Sequence, residues 1–481
     1  MSNLATNIAN LSPQQRAVLE LKLQAKRQNG ARAQTMTHGN GGGAAANKSD
    51  EENRILTESS DSVDGLLAKF YYRYPWPWQP MKFDYLEDRD FGINMLNQDI
   101  GDFTHSTIPR DAKIWVAGCG TNQALHTALK YPDAAVIGSD LSSKSLELCA
   151  QNARELGVTN LEVREESLNH VPYKEQFDYI ISTGVIHHNA DPKATLEKLR
   201  GALKPNGLME LMVYNRYQRI TTSTFQKAIR IFGEQRGGAV DFDADFALAK
   251  KIAAGLPKGS MLEQAFVHTQ YMDWSDSDFA DLFIHPVEHS YTVESLEDLA
   301  ESCGLEYVAP CISLYAKSVS TAFSWNMEFG DHDLQTAYDC LPDSRRWQVT
   351  NLLLFDKSPL LWFYLRPKNN ESPRKTEQQI VDQFLNTTFV KNRTTQRSFI
   401  RDSKENYKLS ASSVPYPLAA PHASVRSIFE LVDGQTPMRD ILAHLEMNTT
   451  LQTVNQARIH LATSAFPYLK ALGTNQHEQS V

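Results

Sequence analysis

The sequence predicts an α/β protein: a mainly parallel sheet covered by helices on both faces, broken by a helical insertion and followed by a small, mainly helical domain. Three observations predict it. From Ala112 onward, short apolar segments of strand type alternate with amphipathic helical ones, the signature of a sheet covered on both faces. Residues 221–289 interrupt that alternation with mostly helical sequence, and YTVESLEDLAESCGLEYVAPCI then resumes it. Past Lys368 the chain turns polar, and from about Val425 to Gly473 it has the pattern of three short helices. Asp433-Gly434 ends one of them and Thr436-Pro437 starts the next.

The 481 residues are enough for several domains, and the 41% of hydrophobic residues is that of an ordinary globular chain. Formal charge is 48 minus 57, or -9, so bulk charge provides no affinity for nucleic acid or acidic membrane. The five cysteines are scattered and lack CxxC spacing, which indicates neither a disulfide framework nor a zinc site; no metal is expected. The most apolar run, LLLFDKSPLLWFYL from Leu352, is broken by Asp356, Lys357 and Pro359 before it could span a bilayer. With no secretory signal at the start, a cytoplasmic protein is expected.

Residues 1–28 hold a helix, SPQQRAVLELKLQAKRQ, which Ser12 can cap, with Pro13 at its first position and Gln15 completing a capping box. Residues 29–62, rich in Gly, Ala and Asn and without hydrophobic period, read as a flexible linker. Residues 63–111 form an extension whose centre, YYRYPWPWQP at 71–80, packs five aromatics and three prolines into ten residues. Proline fixes φ and removes a donor, so an extended aromatic strip is expected there, neither helix nor central strand. The main domain spans 112–367, with the insertion at 221–289. Its expected strands are 113–118, 135–140, 161–166, 177–184, 208–215 and, last, 358–367. Residues 368–420 read as linker and basic segment, and 421–481 as the small C-terminal domain, helical or winged-helix-like.

The chemistry starts at WVAGCGTNQ. A buried strand ending in Gly118-Cys119-Gly120 turns tightly, lets backbone approach a ligand and leads into a helix at Thr121 to Lys130. Asp140 stands at the end of the next strand, 22 residues on (140 minus 118), where a carboxylate accepts hydrogen bonds from ribose hydroxyls. A dinucleotide fingerprint would need glycine where Gln123 stands. Together, WVAGCGTNQ, GSDLSSKSLELC, FDYIISTGVIHHNADP and LRGALKPNGLMELMVYNRY resemble, in order and spacing, the class I methyltransferases that use S-adenosyl-L-methionine, over roughly Phe70 to Pro367.

That resemblance implies a Rossmann-like sheet and the cofactor S-adenosyl-L-methionine. It implies Gly118 and Gly120 under the methionine portion, Asp140 and the adjoining Leu141 at the ribose, and Glu166 or its competitor Ser167 near adenine. Thr183 and Gly184 fall at the fourth-strand edge. Family members often carry an acid at the position of Val116 and a glycine at that of Asn122, so Asn122 is the residue left to help hold the cofactor's amino group. The sequence before the first strand often folds over the cleft in such enzymes, which makes Tyr72, Tyr74, Trp76 and Trp78 a hypothetical lid.

Methyl transfer from a sulfonium needs alignment and exclusion of water, and an oxygen or nitrogen acceptor must also shed a proton. His187 and His188 are the candidate general bases, since imidazole titrates near neutrality; packing against neighbouring loops is the competing role. Tyr214, Arg216 and Tyr217 follow the fifth strand at the edge where such sheets bind ligands, as acceptor contacts or as loop packing. The segment LSPQQRAVLELKL resembles linker helices of nonribosomal peptide and polyketide assembly lines. It implies O-methylation of a small or carrier-protein-bound intermediate in secondary metabolism (natural product biosynthesis), with an assembly-line partner, no membrane, and nucleic acid disfavoured by charge. RNA or protein methylation, or a silent cofactor-binding scaffold with a peptide-binding C-terminal module, are the alternatives.

Overall fold

A computed structural model of the chain describes residues 63–75, 82–104, 107–234, 240–312, 323–401, 406–417 and 419–472. The expected N-terminal helix (1–28), its linker (29–62), and Trp76 and Trp78 lie outside them.

The centre is a seven-stranded sheet of β1 (Lys113–Ala117), β2 (Ala135–Asp140), β3 (Leu161–Glu165), β4 (Phe177–Thr183), β5 (Leu203–Val213), β6 (Leu305–Pro310) and β7 (Leu361–Pro367). Its order is β3-β2-β1-β4-β5-β7-β6; β7 runs antiparallel to both neighbours and the other pairings are parallel. Alternate residues of one strand therefore supply two cores. Ile114 and Val116 face one, with Leu125 and Tyr364; Trp115 and Ala117 face the other, with Leu196, Met209 and Phe363. Burial on both faces explains why these strands read as continuous apolar runs.

Helices α1 (Val63–Arg73) and α2 (Phe91–Asp99) precede the sheet, and α3 (Gln123–Lys130), α4 (Ser143–Leu156) and α5 (Pro192–Ala202) cross over between its strands. The Ser142 hydroxyl caps α4 by accepting from Ser145 N–H, and Gly157 ends it at φ 70°. Asp191 caps α5, with Pro192 in the first turn. Among the described residues the insertion holds the helices α6 (Ile220–Glu234), α7 (Phe242–Ala254), α8 (Met261–Thr269) and α9 (Asp276–Phe283), and α10 (Val293–Ser302) returns the chain to β6.

The YYRY segment corrects one expectation. Tyr71 and Tyr72 are in the last turn of α1, because VDGLLAKFYYR has helical spacing and proline first intervenes at Pro75. Phe70 and Tyr74 face the insertion and pack with Phe225, Phe279 and Phe283 in a third core.

The expected linker at 368–420 also forms a helix and strands among its described residues. After α11 (His332–Asp339) and α12 (Asp343–Leu353), α13 (Glu377–Asn386) carries Ile380, Val381 and Phe384 inward, and strands Phe389–Lys391, Thr395–Arg401 and Tyr407–Leu409 follow. The basic run is built into these strands: Thr395–Arg401 pairs with Asp84–Leu86, Arg397 Nε donates to Ser410 O at 2.7 Å, and Arg401 lies over Tyr407. The three C-terminal helices, α14 (Ala423–Leu431), α15 (Met438–His444) and α16 (Leu451–Ala462), form where expected. They are not a separate body, because they share a core with Phe103, Phe384 and Phe389. The buried Gln98 amide sews α2 to them: Nε2 donates to Ala462 O and Leu469 O, and Oε1 accepts from Ala471 N–H. Among the described residues no helix is long and apolar enough to cross a membrane.

Candidate active site

In an open α/β sheet the crevice lies outside the carboxyl ends of the strands, where the strand order reverses. Here that point is between β1 and β4, and a cavity of about 420 Å³ occupies it. Gly118, Gly120, Asp140, Leu141, Glu166, Ser167, Thr183 and Gly184 line it. A wider cleft of about 820 Å³ lies against Asn206–Leu208 and Arg366 and touches none of the glycine turn.

The turn after β1 is held by its own backbone and by Asp140. Gly118 N–H and Cys119 N–H both donate to Ser139 O. Gly118 has φ 76° and Gly120 φ 53°, and a Cβ on Gly118 would lie 2.5 Å from Val185 Cγ2. Asp140 Oδ2 accepts from Gly120 N–H at 2.8 Å and Oδ1 from Ser142 N–H at 2.9 Å, and Leu141 N–H is a third backbone donor, so about one of the carboxylate's four acceptor sites is left for a ligand. Burial pushes the Asp140 carboxyl up while these backbone donors pull it back. A bare turn beside a carboxylate with unused acceptor capacity fits an adenosyl cofactor. Glu166 accepts from Tyr173 O–H at 2.6 Å, and the Ser167 hydroxyl donates to Asp64 of α1.

Residues 112–231 match the sequence model of a methyltransferase domain. The chain carries a methyltransferase domain. Among similar proteins, an uncharacterized protein of Synechococcus sp. is 27% identical over 305 residues, 61% of this chain and 69% of that one. A tRNA U34 carboxymethyltransferase of Campylobacter jejuni is 27% identical over 275 residues, 53% of this chain and 87% of its own length. A ubiquinone biosynthesis O-methyltransferase of Haemophilus ducreyi is 27% identical over 142 residues, 28% of this chain and 53% of the relative. PKMT2 from Rickettsia typhi in complex with AdoHcy shares the fold, with TM-score 0.52 and 17% identity over 83% of this chain and 78% of that one.

Within the methyltransferase domain, several expected site residues sit elsewhere. Asn122 is buried and its Oδ1 accepts from Asn152 Nδ2 at 2.9 Å, so it points into α4 and away from the cavity. His187 is fully buried behind the lining, stacked between His188 and Tyr214, with both ring nitrogens unpartnered among the described residues. His188 is the imidazole that lines the cavity, as does Tyr214. Arg216 turns outward to Ser290 O, and Tyr217 packs toward Phe355. Tyr72 meets Lys144, and Tyr74 lies in the insertion core, so neither covers the cleft.

The far wall uses residues that sequence reasoning passed over: Leu67 and Tyr71 of α1, and Asp281 of α9. Asp64, Leu67 and Tyr71 fall at i, i+3 and i+7, one face of a helix, and a helical reading of YYRY would have found that face. Behind the wall, Arg219 forms a buried two-point ion pair with Glu288 and its guanidinium lies 3.9 Å from the Tyr214 ring centroid. Burial sets the protonation states. It pushes the Tyr71 and Tyr214 hydroxyls well up, lowers His188 to about 4 and His285 well below its ordinary value, and raises Asp281 to about 7. Aromatic rings, two imidazoles and one carboxylate thus meet in a wall screened from water.

Proposed function

We propose that this methyltransferase acts on an oxygen of a compact acceptor, a small metabolite or an intermediate carried on a carrier protein. The observation that carries the reading is the division of the cavity: the glycine turn and Asp140 at one end, and Tyr71, His188, Tyr214 and Asp281 at the other. The cofactor brings a methyl group already activated on a sulfonium. The chain's task is to anchor it, align an acceptor with it and exclude water. Gly118 and Gly120 let the backbone approach the methionine portion, Asp140 takes the ribose hydroxyls, and Glu166 and Ser167 bound the adenine end. At the opposite wall, Tyr214 remains a protonated donor able to orient an acceptor oxygen, Tyr71 remains protonated with its hydroxyl turned to His285 Nε2, and His188 is the member of the histidine pair that faces the cavity. The LSPQQRAVLELKL segment supports a carrier-bound form of the acceptor.

A second reading, methylation of a nucleoside in RNA, is favoured by the likeness to tRNA U34 carboxymethyltransferases over 53% of the chain. The net charge of -9 weighs against it.

The test begins with calorimetric titration of S-adenosylmethionine and S-adenosylhomocysteine into the chain and into Asp140→Ala. Loss of charge-assisted hydrogen bonding to the ribose should weaken binding roughly 10- to 100-fold. Equal affinity in the variant would remove Asp140 from the site, and absence of binding in the parent would remove the reading. Acceptors follow, beginning with hydroxylated carrier-bound peptides and polyketides, alongside tRNA.

A further inference from the structure

The rings of His188 and His285 lie against each other, centroids 3.7 Å apart and planes tilted by 34°. Both turn Nδ1 to the same acceptor, Val287 O, at 2.8 and 2.7 Å. A carbonyl oxygen can only accept, so both Nδ1 atoms carry the hydrogen; the Val287 N–H, 3.3 Å from His285 Nδ1, is too long to compete. In two neutral imidazoles, Nε2 then carries the lone pair on each ring, and on His285 it accepts from the Tyr71 hydroxyl, a bond that a metal ion would replace. Backbone-carbonyl support of Nδ1 is the arrangement that fixes imidazoles as metal ligands through Nε2. Opposite them stands the Asp281 carboxylate: one ring nitrogen from each histidine and one carboxylate oxygen all lie within 4.8 Å of one another. The polar partner on this side is the Tyr71 hydroxyl, 3.2 Å from His285 Nε2. The nearby Arg219 charge is matched by its ion pair with Glu288, so Asp281 is the acid left over.

We propose that Nε2 of His188, Nε2 of His285 and the carboxylate of Asp281 bind one divalent transition-metal ion at the acceptor end of the cavity. Two imidazoles and one carboxylate suit Zn²⁺ or Fe²⁺, which take such three-residue sets with positions left open, and do not suit Mg²⁺ or Ca²⁺, which prefer all-oxygen shells. Bonds of about 2.0–2.2 Å require the three groups to draw together by about an ångström, within reach of side-chain rotation. The ion's role rests on the methyltransferase reading: an acceptor hydroxyl taking an open position would release its proton to water more readily, which supplies what His188 alone would otherwise have to do. Binding itself does not depend on that reading.

The full chain, stripped with chelator and exchanged into metal-free buffer, would be titrated with Co²⁺ followed by absorbance, then with Zn²⁺ in competition. One Co²⁺ per chain with a ligand-field spectrum of nitrogen and oxygen donors is expected, displaced by Zn²⁺. Asp281→Asn and His285→Gln should each weaken it about 100-fold or more while thermal melting and S-adenosylhomocysteine affinity stay near the parent's. Absence of saturable Co²⁺ binding in the parent, or binding equal in both variants, overturns the proposal. Metal binding without S-adenosylhomocysteine binding would instead sink the methyltransferase reading and leave the metal site standing.

Discussion

Gly118 combines a left-handed φ of 76° with a Cβ position 2.5 Å from Val185 Cγ2. Gly118→Ala should therefore cost about 2–4 kcal/mol, strain and overpacking together, and weaken S-adenosylhomocysteine binding. A melt and a titration on the same sample check it, and an alanine variant with parental values would show that the turn yields freely. Asp102 offers a pH test. Burial pushes its carboxyl up, but Thr104 and Thr107, each donating through hydroxyl and backbone N–H, outweigh this and hold it well below the ordinary value. A depressed folded pKa contributes stability that is fully present above the unfolded value of about 3.9 and is lost as pH falls through the folded one. Denaturant melts of Asp102→Asn should thus show a shallower fall in stability below about pH 4 than the parent; identical acid limbs would contradict it. At this scale Gly118 and Asp140 were legible because backbone geometry and ribose recognition constrain residue type. Asn122 was not, since only the fold shows that Asn152 lies within reach of its amide.

Among elements, α1 and α13 depart most from sequence expectation, for different reasons. The prolines that follow Tyr74 masked the helical period that precedes them, so the last turn of α1, from Tyr71, was read as part of an extended strip. Helix α13 was hidden in a polar stretch, since its buried face opens on a charged residue, Glu377, before Ile380, Val381, Phe384 and Leu385. Glu377, buried at its start, accepts from Arg346 Nη2, Asn326 Nδ2 and Asn455 Nδ2, joining α12, α13 and α16. Arg346 also pairs with Asp343, which in turn holds Arg374. Glu377→Ala leaves the Arg346 guanidinium buried with one partner fewer and should cost about 3–5 kcal/mol. Thermal melting reads the loss, and limited proteolysis should open the C-terminal helices first; an unchanged melting temperature would mean water replaces the carboxylate at no cost.

For the molecule as a whole, charge and topology decide what can approach the cleft. The net charge of -9 gives a polyanion no general attraction, and the basic side chains of Thr395–Arg401 and Tyr407–Leu409 are set on paired strands. Filter binding to tRNA should be weak, with a slope of log K against log salt below about 1 in magnitude; a slope of several would revive the RNA reading. The sequence by itself determined the sheet, its crossover helices, the insertion and the glycine turn with Asp140 one strand later. Each of these depends on near neighbours in the chain: strand period, helix caps, a glycine turn and the acid one strand later. Only tertiary structure decided the far wall of the cavity. Tyr71, His188, Tyr214, Asp281 and His285 come from segments far apart in the chain, and they meet because α1 and the insertion close over one edge of the sheet. No local spacing records that meeting, and it is also why His187 and His188, adjacent in sequence, end on opposite sides of the cavity wall.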